Sequence, residues 1–234
     1  MPSLKKTLLA MAVTTLMLNA ENITNSIGME FAKIPAGSFT MGTSVPNCPK
    51  DDPFTDRNEY DDCLGSVSKD ETPAQRKSVK GFYMQTTEVT QLQWYKVMGN
   101  NPAHFKKEKL GYDSRNNPIE SVSWNDAKRF VKKLNQMEGT NVYYLPSETE
   151  WEYAARAGSI SKWHFGNSKS ALGNYAWYDK NSRDKTHPVA KKKPNKWGLY
   201  DMHGNVWEWT NSCYTERLNI GCYEGGKYKV LRGG

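Results

Sequence analysis

Residues 28–41 (GMEFAKIPAGSFTM) alternate apolar and polar side chains on either side of a Pro-Ala-Gly turn, the period-two pattern of two strands joined by that turn. Residues 76–84 (RKSVKGFYM) read as a further strand. The period then lengthens to that of a helix, and three helices are marked by their ends. Thr90, with Gln93 three residues on, forms a capping box before Leu92, Tyr95 and Val97, and Gly99 stops that helix. Ser123 precedes residues 124–138, where Ala127, Phe130, Val131 and Leu134 fall on one face and Gly139 closes. Ser147 with Glu150 opens a third helix over 148–157, ended by Gly158. The apolar stripes of the last two require a surface to pack against. From Ser159 onward the helical period is lost. Trp163, Phe165, Tyr175, Trp177, Trp197, Trp207 and Trp209 recur irregularly among Gly, Asn and Pro, which describes coil threaded with short strands. The pattern predicts an irregular, loop-rich α+β domain with short strands and about three helices.

The N-terminus has a different character. Lys5 and Lys6 precede an uncharged, mostly apolar run over residues 8–18, and Leu18-Asn19-Ala20 offers a small residue for cleavage. This is the layout of a secretory signal peptide over residues 1–20, and the run is shorter than the roughly 20 residues that cross a bilayer. The polar stretch 21–26 follows without amphipathic continuation, which argues against a buried helix. The mature chain is therefore expected in the periplasm or secreted, with no transmembrane helix after cleavage.

The 4 cysteines fit that compartment. Cys48 and Cys63 lie in a polar segment, residues 45–71, and Cys213 and Cys222 lie near the end. Three pairings are open; the local one, Cys48 with Cys63 and Cys213 with Cys222, closes two short loops. Neither pair has zinc-ligand spacing or a nearby histidine. The net charge of +7 includes Lys5 and Lys6, leaving +5 beyond Ala20. Its single cluster, residues 191–193, reads as a solvated face. No nucleic-acid motif accompanies it, so no nucleic-acid partner is expected.

Four segments carry a family resemblance: 34–42 (IPAGSFTMG), 117–124 (NPIESVSW), 145–156 (LPSETEWEYAAR) and 197–209 (WGLYDMHGNVWEW), with 230–234 (VLRGG) closing the chain. In this order they resemble the formylglycine-generating-enzyme, or sulfatase-modifying-factor, family, whose domain is a variant of the C-type lectin fold. The resemblance covers residues 28–234. It implies an oxidase that converts a target cysteine to formylglycine with copper held by two cysteines, soft ligands suited to Cu(I). In the family that pair lies beyond the Arg-Gly-Gly strand, so this chain is expected to lack the usual C-terminal segment. Copper is implied only if that segment exists, and no catalytic residue is assigned here. Cys213 and Cys222 precede the strand at a different separation.

The resemblance also implies a structural calcium ion in one turn. Its ligands would be the side chains of Asp201 and Glu208 and the carbonyls of Gly204 and Val206, a hard-oxygen set. The family's second calcium site begins at Asn174 and Tyr175, but its other ligands have no place here. His203 is expected at the surface of the first turn, with His104, His164 and His187 forming no metal spacing. Helix capping and the helix dipole account for Glu148 and Glu150. Tyr144 stands where the family usually places an arginine before Leu-Pro. Two functions follow from the resemblance: protein maturation by cysteine oxidation, or a non-catalytic lectin-like module that binds an envelope ligand. The partner is a protein substrate or that ligand; the oligomeric state is not written in the sequence.

Overall fold

The computed structural model describes residues 22–43, 71–214 and 228–234. The signal-peptide reading of residues 1–20, the segment with Cys48 and Cys63, and Cys222 lie outside the described residues. Five strands come first: β1 (Ile23–Thr24), β2 (Glu30–Ile34), β3 (Gly37–Met41), β4 (Gln75–Val79) and β5 (Phe82–Gln85). The helices are α1 (Gln91–Met98), α2 (Lys107–Leu110), α3 (Trp124–Glu138), α4 (Glu148–Arg156) and α5 (Asp179–Ser182), with a 3-10 turn at Lys169–Asn174. Strands β6 (Glu208–Cys213) and β7 (Lys229–Arg232) close the described chain.

The two strands read from residues 28–41 are β2 and β3, and they do not pair with each other. β2 lies between β1 and β5, while β3 pairs with β4, all antiparallel. Ile34 faces Phe82 and Gly37 faces Val79, so the two ladders keep one register as a single bent ribbon. Residues 76–84, expected as one strand, are therefore two ladder segments divided at Lys80 and Gly81. Pro35, opposite that break, has no N–H to continue the ladder. A Cβ on Gly81 would sit 3.4 Å from the Ala36 nitrogen and the Ile34 carbonyl, so glycine lets the two bends lie close.

The three sequence-marked helices form where their caps place them. Thr90, Ser123 and Ser147 each accept a bond from the third helical N–H, and Gln93, Asp126 and Glu150 bond back. Gly99 and Gly139 terminate α1 and α3 in the left-handed region. Helix α4 ends one residue earlier than its sequence signal, at Arg156. Ala157 takes the left-handed conformation (φ 46°) before Gly158 (φ 82°). An alanine there costs about 1 kcal/mol over glycine; its methyl is buried in exchange. The further helices α2 and α5 have four residues each and present no apolar stripe, so periodicity could not mark them.

Two apolar clusters hold these pieces. Trp151, Tyr153, Ala154 and Ala155 of α4 pack on Ala32, Ile34, Phe39, Met41 and Val79 of the ribbon, with Leu199 and Met202. The hydroxyl of Tyr153 donates to the Pro35 carbonyl and occupies the space a side chain at Gly37 would fill. The second cluster joins α1 to α3: Trp94 stacks on Phe130 at 5.1 Å, over Leu134, Ile27 and Met29. Phe130→Ala should cost about 3–5 kcal/mol, through lost burial and the cavity beside Trp94, read as a lowered urea midpoint with unchanged slope.

Candidate metal centre

The turn between Leu199 and β6 is shaped by three residues. Asp201 (φ 59°) and Asn205 (φ 71°) take left-handed conformations that aspartate and asparagine tolerate better than most residues. Gly204 lies against the Trp177 carbonyl, where any Cβ would collide. The Asn205 amide donates to that same carbonyl at 2.9 Å, and its side chain bridges the His187 N–H and C=O. The turn is thus fixed by bonds to the 177–187 segment before any ion is considered.

Within it, Asp201 is 1% exposed. Its Oδ2 accepts from the Ala190 N–H at 2.8 Å, and its Oδ1 is buried with no hydrogen-bond partner. Glu208 begins β6. Its Oε2 accepts from Trp151 Nε1 at 3.2 Å, while its Oε1 and the Val206 carbonyl both lie within 3.5 Å of where a Cβ on Gly233 would sit. The Gly204 carbonyl accepts from the Val206 N–H at 3.0 Å, leaving its second lone pair. All four residues inferred from the resemblance belong to this one turn.

Sequence reasoning missed Glu88. It precedes the α1 cap, 7% exposed, with both carboxylate oxygens buried and unpartnered. Burial, then the charges of Asp201 and Glu208, holds its carboxyl well above the usual range. Burial raises Asp201 as well, against the Ala190 N–H, and pushes Glu208 up to about 7. No three His, Cys, Asp or Glu side chains among the described residues stand in ligand geometry around one point. The cluster is instead three coupled carboxylates beside turn carbonyls, the oxygen donors that calcium takes.

The remaining candidates resolve differently. His203, expected at the surface, is half-buried: its ring stacks on His164 at 5.1 Å, and its Nε2 is enclosed without a partner. His164 in turn meets Phe165 and Tyr175 edge-on, so the coil aromatics gather the two histidines. The Asn174 carbonyl accepts from the Lys193 N–H, and Tyr175 stacks on Phe165 at 4.3 Å, both with basic and aromatic neighbours. Lys192, read as part of a solvated face, lies 3.9 Å over the Trp177 ring and donates to the Gly173 carbonyl. Tyr144 donates to Glu150 at 3.1 Å, an uncharged donor at the position of the family's arginine. Cys213 is disulfide-bonded, its partner outside the described residues.

The fold and site define a loop-rich, C-type-lectin-like α+β domain with an oxygen-lined turn. The family model for the sulfatase-modifying factor enzyme 1-like domain matches residues 19–234, and the chain belongs to that family. The chaperone protein LppX of Paenibacillus barcinonensis is 32% identical over 61% of this chain and 66% of its own length. The formylglycine-generating enzyme of Mus musculus is 28% identical over 86% of this chain and 64% of its own. The chain thus spans a little under two thirds of these curated relatives. Among solved structures, Treponema denticola variable protein 1 superposes with a TM-score of 0.72 at 28% identity, covering 91% of this chain and 87% of its own.

Two outcomes test the geometry. Gly204→Ala should destabilise by about 1–3 kcal/mol, the cost of overpacking, seen as a lower denaturant midpoint. Burial lowers His164 to about 4, against about 6.5 in an unfolded chain. The unfolded state therefore binds a proton that the folded state refuses, and stability falls as pH drops from about 6.5 toward 4. The loss of melting temperature between pH 7 and pH 5 should be smaller in His164→Phe than in the unaltered chain.

Proposed function

We propose that this chain is the calcium-stabilised domain of an exported protein of the sulfatase-modifying type, acting on or holding a protein partner. The observation that carries the reading is the buried Asp201 Oδ1 without a partner, in the turn that also holds Gly204 and Val206 and within reach of the Glu208 charge. Buried carboxylates without donors are costly unless an ion completes them. Calcium would be held by Asp201, Glu208 and the two carbonyls, and its charge would offset the mutual repulsion of the acids. Its role is structural, since it ties the turn to β6.

Family membership points to oxidation of a target cysteine to formylglycine, with copper held by a pair of thiolates. The described residues do not fit that metal. Cys213 is the one cysteine among them, and it is bound in a disulfide rather than free as a thiolate. No oxidation step is derived from these residues. The second reading is a lectin-like module that holds an envelope ligand without altering it. Among the described residues no helix is long and apolar enough to cross a membrane. Export rests on the leader-like residues 1–20, and the proposed pairing of Cys213 with Cys222 belongs to the same compartment.

Adding Ca²⁺ should raise the melting temperature, and the rise should vanish in Asp201→Ala and Glu208→Ala. At a free calcium concentration 100 times the dissociation constant, linkage gives about 2.7 kcal/mol. Melting indifferent to calcium removes the site. The two activities separate on a cysteine-containing sulfatase-type peptide with copper and oxygen: aldehyde formed by this chain, trapped by a hydroxylamine probe, would establish the oxidase and dismiss the binding module.

A further inference from the structure

Helix α3 and the segment that returns from its C-terminus enclose an open groove of about 500 Å³, and no residue of the acid cluster lines it. That volume falls within the roughly 300–1,000 Å³ of small-molecule sites. Lys128, Lys132 and Gln136 form the helical wall; Asn141, Tyr143 and Tyr144 form the other. Asn135 fixes the two walls together. Its side-chain amide donates to the Tyr143 and Val131 carbonyls at 2.9 and 3.1 Å and accepts from the Tyr143 N–H at 3.0 Å. Its own carbonyl accepts from the Thr140 N–H, and the Tyr143 ring packs on Phe31 at 5.7 Å. The groove is therefore built by the fold and needs no ligand to shape it.

Its charge is one-sided. Lys128 and Lys132 are one turn apart on α3, a spacing at which like charges repel. Neither joins an ion pair among the described residues, and no acid lines the groove. The acids closest in sequence are already engaged. Asp126 takes Arg129 and the Ser123 cap, Glu138 takes the Ser26 hydroxyl, and Glu150 takes Tyr144 and Ser147. A third ammonium, Lys229, lies 4.7 Å over the same Trp124 ring that Lys128 approaches at 5.5 Å.

The walls also say what kind of anion fits. An extended peptide docks through free backbone groups at an edge. Here the α3 backbone is spent within the helix, and both the N–H and the carbonyl of Tyr143 are taken by Asn135. The groups left are side chains. The Gln136 and Asn141 amides are exposed and offer neutral donors and acceptors. Tyr144 is 53% exposed and offers an aromatic body with a polar tip. Amides for hydroxyls, an aromatic ring for a C–H face and paired ammoniums for a carboxylate together match an acidic sugar.

We infer that this groove binds an acidic oligosaccharide, with a sugar carboxylate between Lys128 and Lys132 and ring hydroxyls on Gln136 and Asn141. The inference rests on the envelope-ligand reading above and gives it a site and a ligand class; it owes nothing to the calcium turn.

Calorimetric titration of the full chain with a galacturonate tetrasaccharide, and with its uncharged galactose counterpart, tests this. The acidic sugar should bind at least about tenfold more tightly than the neutral one, because charge-assisted hydrogen bonds are the stronger kind. Lys128→Gln and Lys132→Gln should each weaken it by about tenfold, with melting temperatures unchanged, and Lys132→Arg should keep most of the affinity. Undiminished affinity in both glutamine variants, or equal binding of the neutral sugar, would overturn the site and leave the envelope-ligand reading standing. Tighter binding of a polyglutamate peptide at the same lysines would overturn it in favour of an acidic protein partner. A chain that binds neither saccharide also ends the inference, whereas the reading beneath it falls separately, on aldehyde formation in the peptide assay.

Discussion

The buried carboxylate of Glu152 is the contact on which the arrangement of this domain depends. It lies on α4, 6% exposed, and three elements converge on it. Its Oε1 accepts from the Gly42 N–H and from Arg156 Nε, both at 2.9 Å, and its Oε2 accepts from Arg232 on β7. Arg156 also reaches the Gly42 and Ser161 carbonyls. One acid thus joins the end of the β3 strand, the last turn of α4 and the closing strand. A carboxylate this enclosed is tolerable because two guanidiniums and an amide satisfy it. Removing one partner of such a set costs about 3–5 kcal/mol, chiefly the penalty of the stranded charge.

The acid cluster around Asp201 is the opposite electrostatic case, and it sits almost against the first. Glu208 and Arg232 face each other across the β6–β7 ladder. Trp151 lies between the two systems: its ring carries the Arg232 guanidinium at 5.5 Å, and its Nε1 donates to Glu208. The arginines are spent on Glu152 and, at 3.7 Å, on Glu148, so Glu208 gains a neutral donor rather than a cation. Burial first, with no ion pair to offset it, pushes Glu208 and Glu88 toward protonation, while the adjacent Glu152 is held by ion pairs. A divalent ion at the turn would supply the positive charge that the side chains withhold.

Much of the fold could be read from local chemistry. Capping pairs located three helices because the signal lies within four residues, and hydrophobic alternation located the ribbon strands. Pairing could not be read: β2 and β3 are adjacent in sequence but lie in different sheets, and Pro35 with Gly81 decides that. At the candidate site, Asp201, Gly204, Val206 and Glu208 were named through the family resemblance, which one contiguous segment carries. Glu88 was not, since it lies far earlier in the chain and precedes an ordinary helix cap. His203 was misplaced for a similar reason. A histidine in a polar turn reads as exposed until the 163–175 coil folds its aromatics over it. The coil had no period to predict from, and its ring stacks are set by tertiary packing.

Small sheets and long coil leave a domain with little continuous ladder, and two or three polar junctions must then do what a larger sheet does elsewhere. Hydrophobic contact is non-directional and would accept several placements of the coil. Polar junctions are selective, because a misplaced chain strands a buried polar group. Here both junctions draw on residues remote in sequence: Gly42, Glu152 and Arg232 for one, Glu88, Asp201 and Glu208 for the other. Neither is complete until the ribbon, α4 and the β6–β7 pair have all docked. Binding energy delivered to the acid cluster would therefore be folding energy for the whole described domain, not only for its own turn.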